Sequence, residues 1–230
     1  MKMAARNGAE LHFEEKVIGW TASSHRVQVT TSRAVYEAEG LVIAAGPWAN
    51  ETMQGLLPLK VTRQVMAWIQ PQGGIEPFLP AHFPVFLCES ADGGRLGYGF
   101  PAIDGPSGGL KAAIHGSDVE CTPETVDRVI HEVDGAEVIR KLRPRFPALH
   151  GEILKAKTCL YTMTPDEHFV IGLHPQFPPV SVACGFSGHG FKFAPAVGEI
   201  LADLATTGKT NHPIDLFSPI RFGETGHLAI

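Results

Sequence analysis

The sequence predicts an α/β protein of mixed α+β character, in which a mainly antiparallel β-sheet is inserted into a layer of strands and helix. Three observations lead to this prediction. The apolar run LVIAA at Leu41 to Ala45 ends at Gly46 and is typical of a strand buried on both faces. The segment Val180 to Cys184 leads through the glycine-rich turn GFSGHG into a helical pattern. Between these regions, short strand-like segments follow one another as in a β-meander.

The first part of the chain predicts short strands that precede the apolar run. Residues 8–19 form one predicted strand, and Arg26 to Thr31 forms a second because its apolar and polar residues alternate. Residues 32–34 are predicted to turn into a strand at Val35 to Glu39, so these two strands form a hairpin.

The middle of the chain, from Pro58 onward, predicts the meander. Its strands are rich in β-branched and aromatic residues or are joined by a hairpin turn such as ADGG. The predicted strands are Val61 to Gln70, Val85 to Glu89, Leu96 to Phe100 and Leu110 to His115.

Two helices and a strand are predicted to follow the meander. The first helix begins at Thr122, because a threonine caps a helix and the proline and glutamate that follow it suit a first turn. The second helix, Ala136 to Leu142, is stopped by Pro144. Ile153 to Leu160 is then a predicted strand.

The last helix has the clearest pattern. Val197, Ile200, Leu201 and Leu204 recur at helical spacing and predict one apolar face. Gly208 is predicted to end this helix, because glycine adopts the left-handed conformation of a helix C-terminus without strain.

Composition excludes several classes of function. The formal net charge is −5, so no nucleic-acid partner is expected, and no apolar run is long enough to span a membrane. The N-terminal residues MKMAARNGAELHFEEK contain no secretory apolar region, so a cytoplasmic location is expected. The four cysteines form no CxxC pair and the histidines are dispersed, so neither a disulfide framework nor a metal site is expected.

Two motifs carry a resemblance to a known family. CLYTMTPDEHF begins at Cys159, and GFSGHGFKFAPAVGEILADL begins at Gly185. Together they resemble the C-terminal part of the monomeric sarcosine oxidase and N-methyltryptophan oxidase family of FAD-dependent amine oxidases. The match is long, ordered and rich in unusual residues, which makes it more specific than a lone glycine pattern.

The resemblance implies a partial FAD-binding Rossmann-like domain with an inserted, mainly antiparallel substrate domain. Residues 1–57 and 151–230 are then expected to belong to the FAD-binding domain. Residues 58–150 are expected to form the substrate and catalytic domain.

One expected part of such a flavoenzyme is absent from the sequence. The strand–GxGxxG–helix unit that opens these enzymes and holds the pyrophosphate does not occur here, so the resemblance starts after about the first two-fifths of the family. The chain is therefore expected to be a fragment, a protein with a misassigned start, or a natural truncation. The alternative function is a non-catalytic chain, or half of an enzyme whose partner supplies the nucleotide-binding unit.

The resemblance implies FAD as the cofactor, covalently attached through Cys159. From the residues alone, a lone cysteine is most often a buried apolar side chain. Gly46 is either a simple strand end or a point where the backbone approaches the cofactor, since glycine has no side chain to block it. Gly188 and Gly190 are further cofactor candidates, because backbone N–H groups of the turn can stabilise an anionic reduced ring.

Lys111 and His115 are the catalytic candidates. From the residues alone, Lys111 is either an edge-strand lysine, the favoured reading, or a buried functional one. The resemblance implies that Lys111 activates oxygen, because a fixed cation stabilises developing negative charge. It also implies that His115 is an active-site histidine.

Lys192, Tyr98 and Tyr161 are the substrate candidates. Lys192 stands at a helix start, where the helix dipole disfavours a cation, and the resemblance implies that it binds the substrate carboxylate. The resemblance places both tyrosines in the substrate cavity, although each is alternatively a core aromatic. The same two alternatives stay open for three other large side chains, Met66, Trp68 and Phe86.

The function implied by the resemblance is oxidation of the C–N bond of a secondary or N-methyl amino acid by O2. The products would be an imine, which water converts to an aldehyde, and hydrogen peroxide. The expected partners are therefore a small amino acid and O2.

Overall fold

The computed structural model describes residues 1–90 and 92–223. The helices and strands of this part of the chain are, in order, α1 (Lys2–Arg6), β1 (Val17–Ala22), β2 (Val27–Thr31), β3 (Val35–Ala38), β4 (Leu41–Ile43), α2 (Ala49–Thr52), β5 (Lys60–Ile69), β6 (Phe86–Glu89), β7 (Leu96–Phe100), β8 (Leu110–Ile114), α3 (Glu132–Leu142), β9 (Ile153–Met163), β10 (Val170–Leu173), β11 (Val180–Cys184) and α4 (Ala194–Thr207). They form three sheets, described in turn below.

The first sheet is the antiparallel meander β1-β2-β3. Trp20 and Val27 are buried on its inner side and pack in one cluster with Met53 and Val180. The Trp20 indole also donates a hydrogen bond to the carbonyl of Thr52 at 2.6 Å. These contacts fix the small sheet against the α/β layer that follows.

The second sheet, β10-β11-β4, is the α/β layer predicted from the sequence. β11 pairs antiparallel with β10 and parallel with β4. Val197, Ile200 and Leu204 of α4 pack against Ile171 and Ala183, so the helix buries its apolar face on this sheet. α4 ends at Gly208, whose φ of 71° confirms the predicted C-terminus.

β4 is shorter and less buried than the sequence suggested. It ends at Ile43 and, among the described strands, lies at the sheet edge beside β11 alone. Ile43 is 5% exposed, whereas Val42 is 41% exposed. The prediction of burial on both faces is therefore wrong, because only one face of this strand is covered.

The third sheet confirms the mainly antiparallel meander. Its order is β6-β7-β8-β5-β9, and every neighbouring pair is antiparallel. Val138 and Leu142 of α3 pack on one face against Ala67, Ile69 and Leu110, all fully buried or nearly so. With the α/β layer, this sheet confirms the predicted fold class.

β9 joins the meander to the end of the chain. It pairs with β5 from Lys60 opposite Met163 to Ile69 opposite Ile153. The domain boundaries at 57/58 and 150/151 stay predictions. Of the predicted last segment, residues 224–230 lie outside the described residues.

The helix predicted from Thr122 is wrong. Thr122 caps a single turn, since its Oγ1 accepts a hydrogen bond from the backbone N–H of Thr125 at 3.1 Å. The chain then leaves the helical path. The guanidinium of Arg63 donates to the carbonyls of Asp127 and Val129 at 2.7 and 2.8 Å, and a continuing helix would need these carbonyls for its own hydrogen bonds.

α3 begins earlier than predicted, at Glu132 rather than Ala136. The cause is a capping box that the sequence pattern did not reveal. The Asp134 carboxylate accepts a hydrogen bond from the backbone N–H of His131 at 2.9 Å, which satisfies a free donor at the helix start.

Two strand predictions differ from the structure by several residues, and one predicted turn is not fully described. β1 begins at Val17, so the predicted strand over residues 8–19 covers mostly irregular backbone. β9 continues past Leu160 to Met163. The predicted ADGG turn between β6 and β7 includes Ala91, which lies outside the described residues.

Two kinds of feature are absent from residues 1–90 and 92–223. Within this part of the chain, no helix combines the length and apolarity that a membrane crossing needs. The same residues contain no group of three or more His, Cys, Asp or Glu side chains that could hold a metal ion.

Candidate active site

One face of the five-stranded sheet carries most of the predicted site residues. Directly opposed residues of antiparallel neighbours share a face, and so do residues two apart along a strand. Trp68 of β5 lies opposite Lys111, and Gln64, four residues before Trp68, lies opposite Cys159. We call this the site face; α3 covers the other one. Its predicted residues are Tyr98, Lys111, His115, Cys159 and Tyr161.

Tyr98, Tyr161 and His115 form a hydrogen-bonded cluster on the site face. The hydroxyl oxygens of the two tyrosines are 3.4 Å apart, and the Tyr161 oxygen is 3.3 Å from Nδ1 of His115. The His115 ring centroid lies 5.3 Å from that of Tyr161 and 6.4 Å from that of Tyr98. The middle of β7, the residue after β8 and the last part of β9 therefore converge on one polar cluster.

Burial sets the protonation of this cluster. It raises the pKa of the Tyr161 hydroxyl far above its ordinary value, and the hydrogen bond with Tyr98 adds to the rise. Burial also raises the pKa of Tyr98. It lowers the pKa of His115, and the charge of nearby His189 lowers it further. Near neutral pH all three groups are therefore uncharged, so the imidazole can accept a proton.

The glycine turn packs directly on this cluster. Gly188 has a φ of 81°, and a Cβ at this position would overlap the Tyr161 ring. The turn is tied to β9, since the backbone N–H of Ser187 donates to the carbonyl of Thr162 at 3.0 Å. Only glycine combines this backbone conformation with so close an approach to a ring.

A cleft of about 560 Å³ opens beside the glycine turn. Its walls include Gly46, Tyr161, Gly188, Gly190 and Ala194. The volume is within the range of about 300–1,000 Å³ that is typical of small-molecule sites. A smaller cavity of about 90 Å³, beside Arg63, contains none of the predicted site residues.

The lining of this cleft fits the ring system of a flavin. Gly46 has a φ of 55° and free space where a Cβ would stand, so its backbone can approach a ligand. α4 begins at Ala194 with no acidic residue in its first turn, so the positive end of its dipole is available to electron-rich atoms of a ligand. Apolar walls with the positive end of a helix dipole at one side suit a flat ring that carries carbonyl oxygens.

Cys159 lies on the site face, two residues before Tyr161 on β9. It is half-buried, and burial raises the pKa of its thiol, while the nearby Lys111 ammonium opposes that rise. The cleft lining includes Leu160 and Tyr161 but not Cys159 itself. The structure thus brings Cys159 near Lys111; its attachment to a cofactor stays a prediction.

Lys111 lies on an interior strand, because β8 is paired with both β7 and β5. The edge-strand interpretation is therefore wrong. The Lys111 ammonium lies 5.3 Å from the ring centroid of Trp68 and 5.1 Å from that of Phe100. The Lys111 side chain is half-buried, and its ammonium lies on the site face beside these two rings.

Lys192 is the predicted residue that the structure separates from the cluster. It is exposed in the short turn Phe191–Phe193, and its Nζ donates to the carbonyl of His189 at 3.1 Å. Phe191 lines the cleft, but Lys192 does not. Its role in binding a carboxylate stays a prediction.

The structure places three large side chains, and none of them lines the cleft beside the glycine turn. Met66 and Trp68 lie on the site face, since they alternate with Ala67, which is fully buried on the α3 side. Phe86 belongs to the core, where its ring centroid is 4.6 Å from that of Phe146. Phe100 was not predicted as a neighbour of Lys111, although two-residue alternation from Tyr98 places it on the same face.

Comparison with known proteins confirms the resemblance seen in the sequence. The model of the FAD dependent oxidoreductase family matches residues 1–204. The chain is 50% identical over 223 residues to the monomeric sarcosine oxidase of Streptomyces avermitilis, covering 96% of the chain and 58% of that relative. It is 34% identical over 224 residues to the N-methyl-L-tryptophan oxidase of Yersinia pestis, with the same coverage of each.

Comparison with solved structures also finds a similar fold. The fold is similar to that of L-proline dehydrogenase from P. horikoshii, with a TM-score of 0.78 and 27% sequence identity over 98% of this chain and 58% of that one. The chain therefore spans about 58% of the length of the relatives that it matches. What each whole relative does is thus a basis for proposals about this chain.

Proposed function

Because the chain belongs to the FAD dependent oxidoreductase family, we propose that it serves the oxidation of a secondary or N-methyl amino acid by O2. The single observation that supports this most is the neutral Tyr98–Tyr161–His115 cluster packed against the glycine turn of the cleft. A flavin in that cleft would face groups that can orient an amine without charging it. The names of the relatives, sarcosine oxidase and N-methyl-L-tryptophan oxidase, favour an N-methyl amino acid.

The cleft residues Gly46, Gly188 and Gly190 would hold the ring, with Cys159 as the covalent attachment point. A bound FAD would supply the redox chemistry: the hydride leaving the carbon next to the amine nitrogen and the proton lost from that nitrogen would together account for the two electrons and two protons that O2 takes up as hydrogen peroxide. The resulting imine is hydrolysed by water to an amine and an aldehyde. The chain's own residues bind, orient and set charge around this chemistry.

Substrate orientation would come from the site face and the glycine turn. His115, kept neutral by burial, can accept a hydrogen bond from the substrate amine or hold its proton at Nδ1 or Nε2. Tyr98 and Tyr161 exclude water from one side of the amine and keep their protons. Lys192 would bind the carboxylate after leaving its bond to the His189 carbonyl.

Lys111 would act in the oxygen half of the reaction. A fixed ammonium on the site face lowers the energy of negative charge that develops on oxygen, because preorganised charge needs no reorientation of solvent. Removing it should slow reaction with O2 and leave the reaction with the amine nearly unchanged.

The test separates the two halves of the reaction. The flavin-loaded protein is mixed with sarcosine or N-methyl-L-tryptophan without O2, and loss of the oxidised flavin absorbance is followed; O2 is then admitted and hydrogen peroxide is measured. We expect one of these amines to bleach the flavin. We also expect Lys111→Met to slow reoxidation at least about tenfold.

Lys157→Met is the matched control, because Lys157, on β9, also lies on the site face and is exposed. It removes one charge without touching the residues assigned above. A loaded protein that neither amine bleaches contradicts the proposed function. Reoxidation of Lys111→Met at the parent rate contradicts the role of Lys111.

A further inference from the structure

Four side chains form a row across four neighbouring strands of the site face. They alternate cation and aromatic ring: Lys155 on β9, Trp68 on β5, Lys111 on β8 and Phe100 on β7. Trp68 lies directly opposite both lysines, and Phe100 lies directly opposite Lys111. The register of three strand pairs therefore places Lys111 between two aromatic rings.

The distances are those of cation–π contacts. The Lys111 ammonium is 5.3 Å from the Trp68 centroid and 5.1 Å from the Phe100 centroid, and the Lys155 ammonium is 4.9 Å from the Trp68 centroid. Contacts within about 6 Å are attractive, because the face of an aromatic ring carries negative charge. Trp68 thus attracts cations from both of its neighbouring strands.

No carboxylate of residues 1–90 and 92–223 forms an ion pair with Lys111. This distinguishes it from the buried cations on the other side of the sheet, such as Arg63, which is paired with Asp134 at 2.7 Å. A carboxylate partner would offset most of the lysine's field. Two neutral rings hold an ammonium in place and leave its net charge available to a third group.

We propose that Trp68, together with Phe100, is a positioning residue that fixes the Lys111 cation on the site face without neutralising it. The proposal rests on the role of Lys111 in the proposed function. Trp68 contributes the larger share, because its ring attracts a cation more strongly than that of phenylalanine does. Met66, in the next row of the same strand, has no ring and serves no such purpose.

The position of the ammonium can be measured without any cofactor. The lysines of the folded chain are converted to ¹³C-dimethyl-lysines, and their NMR signals are assigned with Lys111→Met and Lys155→Met. A methyl group over an aromatic ring is shifted upfield by the ring current. We expect upfield signals for Lys111 and Lys155 but not for Lys157, which lies over neither ring.

Trp68 variants then connect position to rate. Trp68→Leu should move the Lys111 signal toward that of an exposed lysine, and Trp68→Phe should retain part of its shift. In the flavin-loaded protein, reoxidation by O2 should slow about fivefold to tenfold in Trp68→Leu and less in Trp68→Phe, with anaerobic reduction by the amine little changed. Phe100→Leu should have a smaller effect of the same kind.

The outcomes separate this proposal from the proposed function. A Lys111 signal without an upfield shift, or one that Trp68→Leu leaves in place, overturns the positioning role. Slow reoxidation in Lys111→Met together with the parent rate in Trp68→Leu overturns it too, while the role of Lys111 stands. If Lys111→Met itself reoxidises at the parent rate, the proposed function fails in its oxygen step, and the proposal fails with it.

Discussion

The two faces of the five-stranded sheet are built by the same strands but differ in burial and in how they hold charged side chains. On the α3 face, Ala67, Ile69 and Leu110 are completely buried. On the site face, the residues beside them, Trp68 and Lys111, are half-buried, and Tyr161 of the same face packs against the glycine turn instead of a helix. Because side chains alternate along a strand, the same strands supply a buried core on one face and a half-buried surface on the other.

Charge is handled differently on the two faces. Arg63 on the α3 side makes a bidentate pair with Asp134, at 2.7 and 2.8 Å, and two more of its N–H groups donate to the carbonyls of Asp127 and Val129. Burial of a charge requires such complete pairing. Lys111 on the site face has rings as neighbours instead. The contrast teaches that a cation paired with a carboxylate has its charge offset, whereas a cation held by neutral rings keeps its net charge.

The largest expected difference between the faces is in stability. Leu142 of α3 is fully buried between this helix and the five-stranded sheet, and it fills the space above Gly97 of β7. Leu142→Ala should lower the free energy of unfolding by about 2–5 kcal/mol, since a cavity forms where the core cannot collapse. Met66→Ala, on the half-buried site face, should cost less than about 1.5 kcal/mol. Urea unfolding of both variants measures this; equal losses would contradict the division between the faces.

A smaller expected difference concerns pH and His115. Burial lowers the folded-state pKa of His115 below its ordinary value of 6.5, so the unfolded chain binds more protons below that pH. The free energy of unfolding therefore falls as the pH drops through about 6.5, and the loss is complete below the folded-state pKa. His115→Asn should lose less stability than the parent between about pH 7.5 and about pH 5.5.

The measurement for His115 is urea unfolding at the two pH values. Burial also lowers the pKa of His174, which lies outside the site, so both proteins retain a shared part of the acid sensitivity. The lowered pKa of Asp134 acts only at more acidic pH, since its ordinary value is 3.8. An equal loss of stability in His115→Asn and parent would show that His115 is not held neutral by its surroundings.

Much of the fold was predictable because its signals are local. The predicted hairpin included β7 with its observed bounds, and the strand predicted before the glycine turn is β11, also with its observed bounds. Helical spacing and Gly208 gave the face and the end of α4. The helix expected at Thr122 failed for a non-local reason, since the carbonyl of Asp127 is bound by Arg63, which is 64 residues away in the chain.

The candidate site was predictable only in part. The motifs pointed to Cys159, Lys111 and the glycine turn. They did not show which residues of neighbouring strands lie opposite one another. Register decides which residues face each other, and it is set by pairing between distant segments. The contacts of Lys111 with Trp68 and Phe100 follow from that register and could be read only from the structure.

The most direct test of the account asks whether the site face and the glycine turn hold a flavin through Cys159. The 230-residue chain and its Cys159→Ser variant are purified from a flavin-replete host and precipitated with acid, and the pellet and supernatant are examined for yellow flavin. The account predicts flavin in the pellet of the parent and only in the supernatant of the variant. Flavin in neither fraction of the folded parent, or in its supernatant alone, would contradict it.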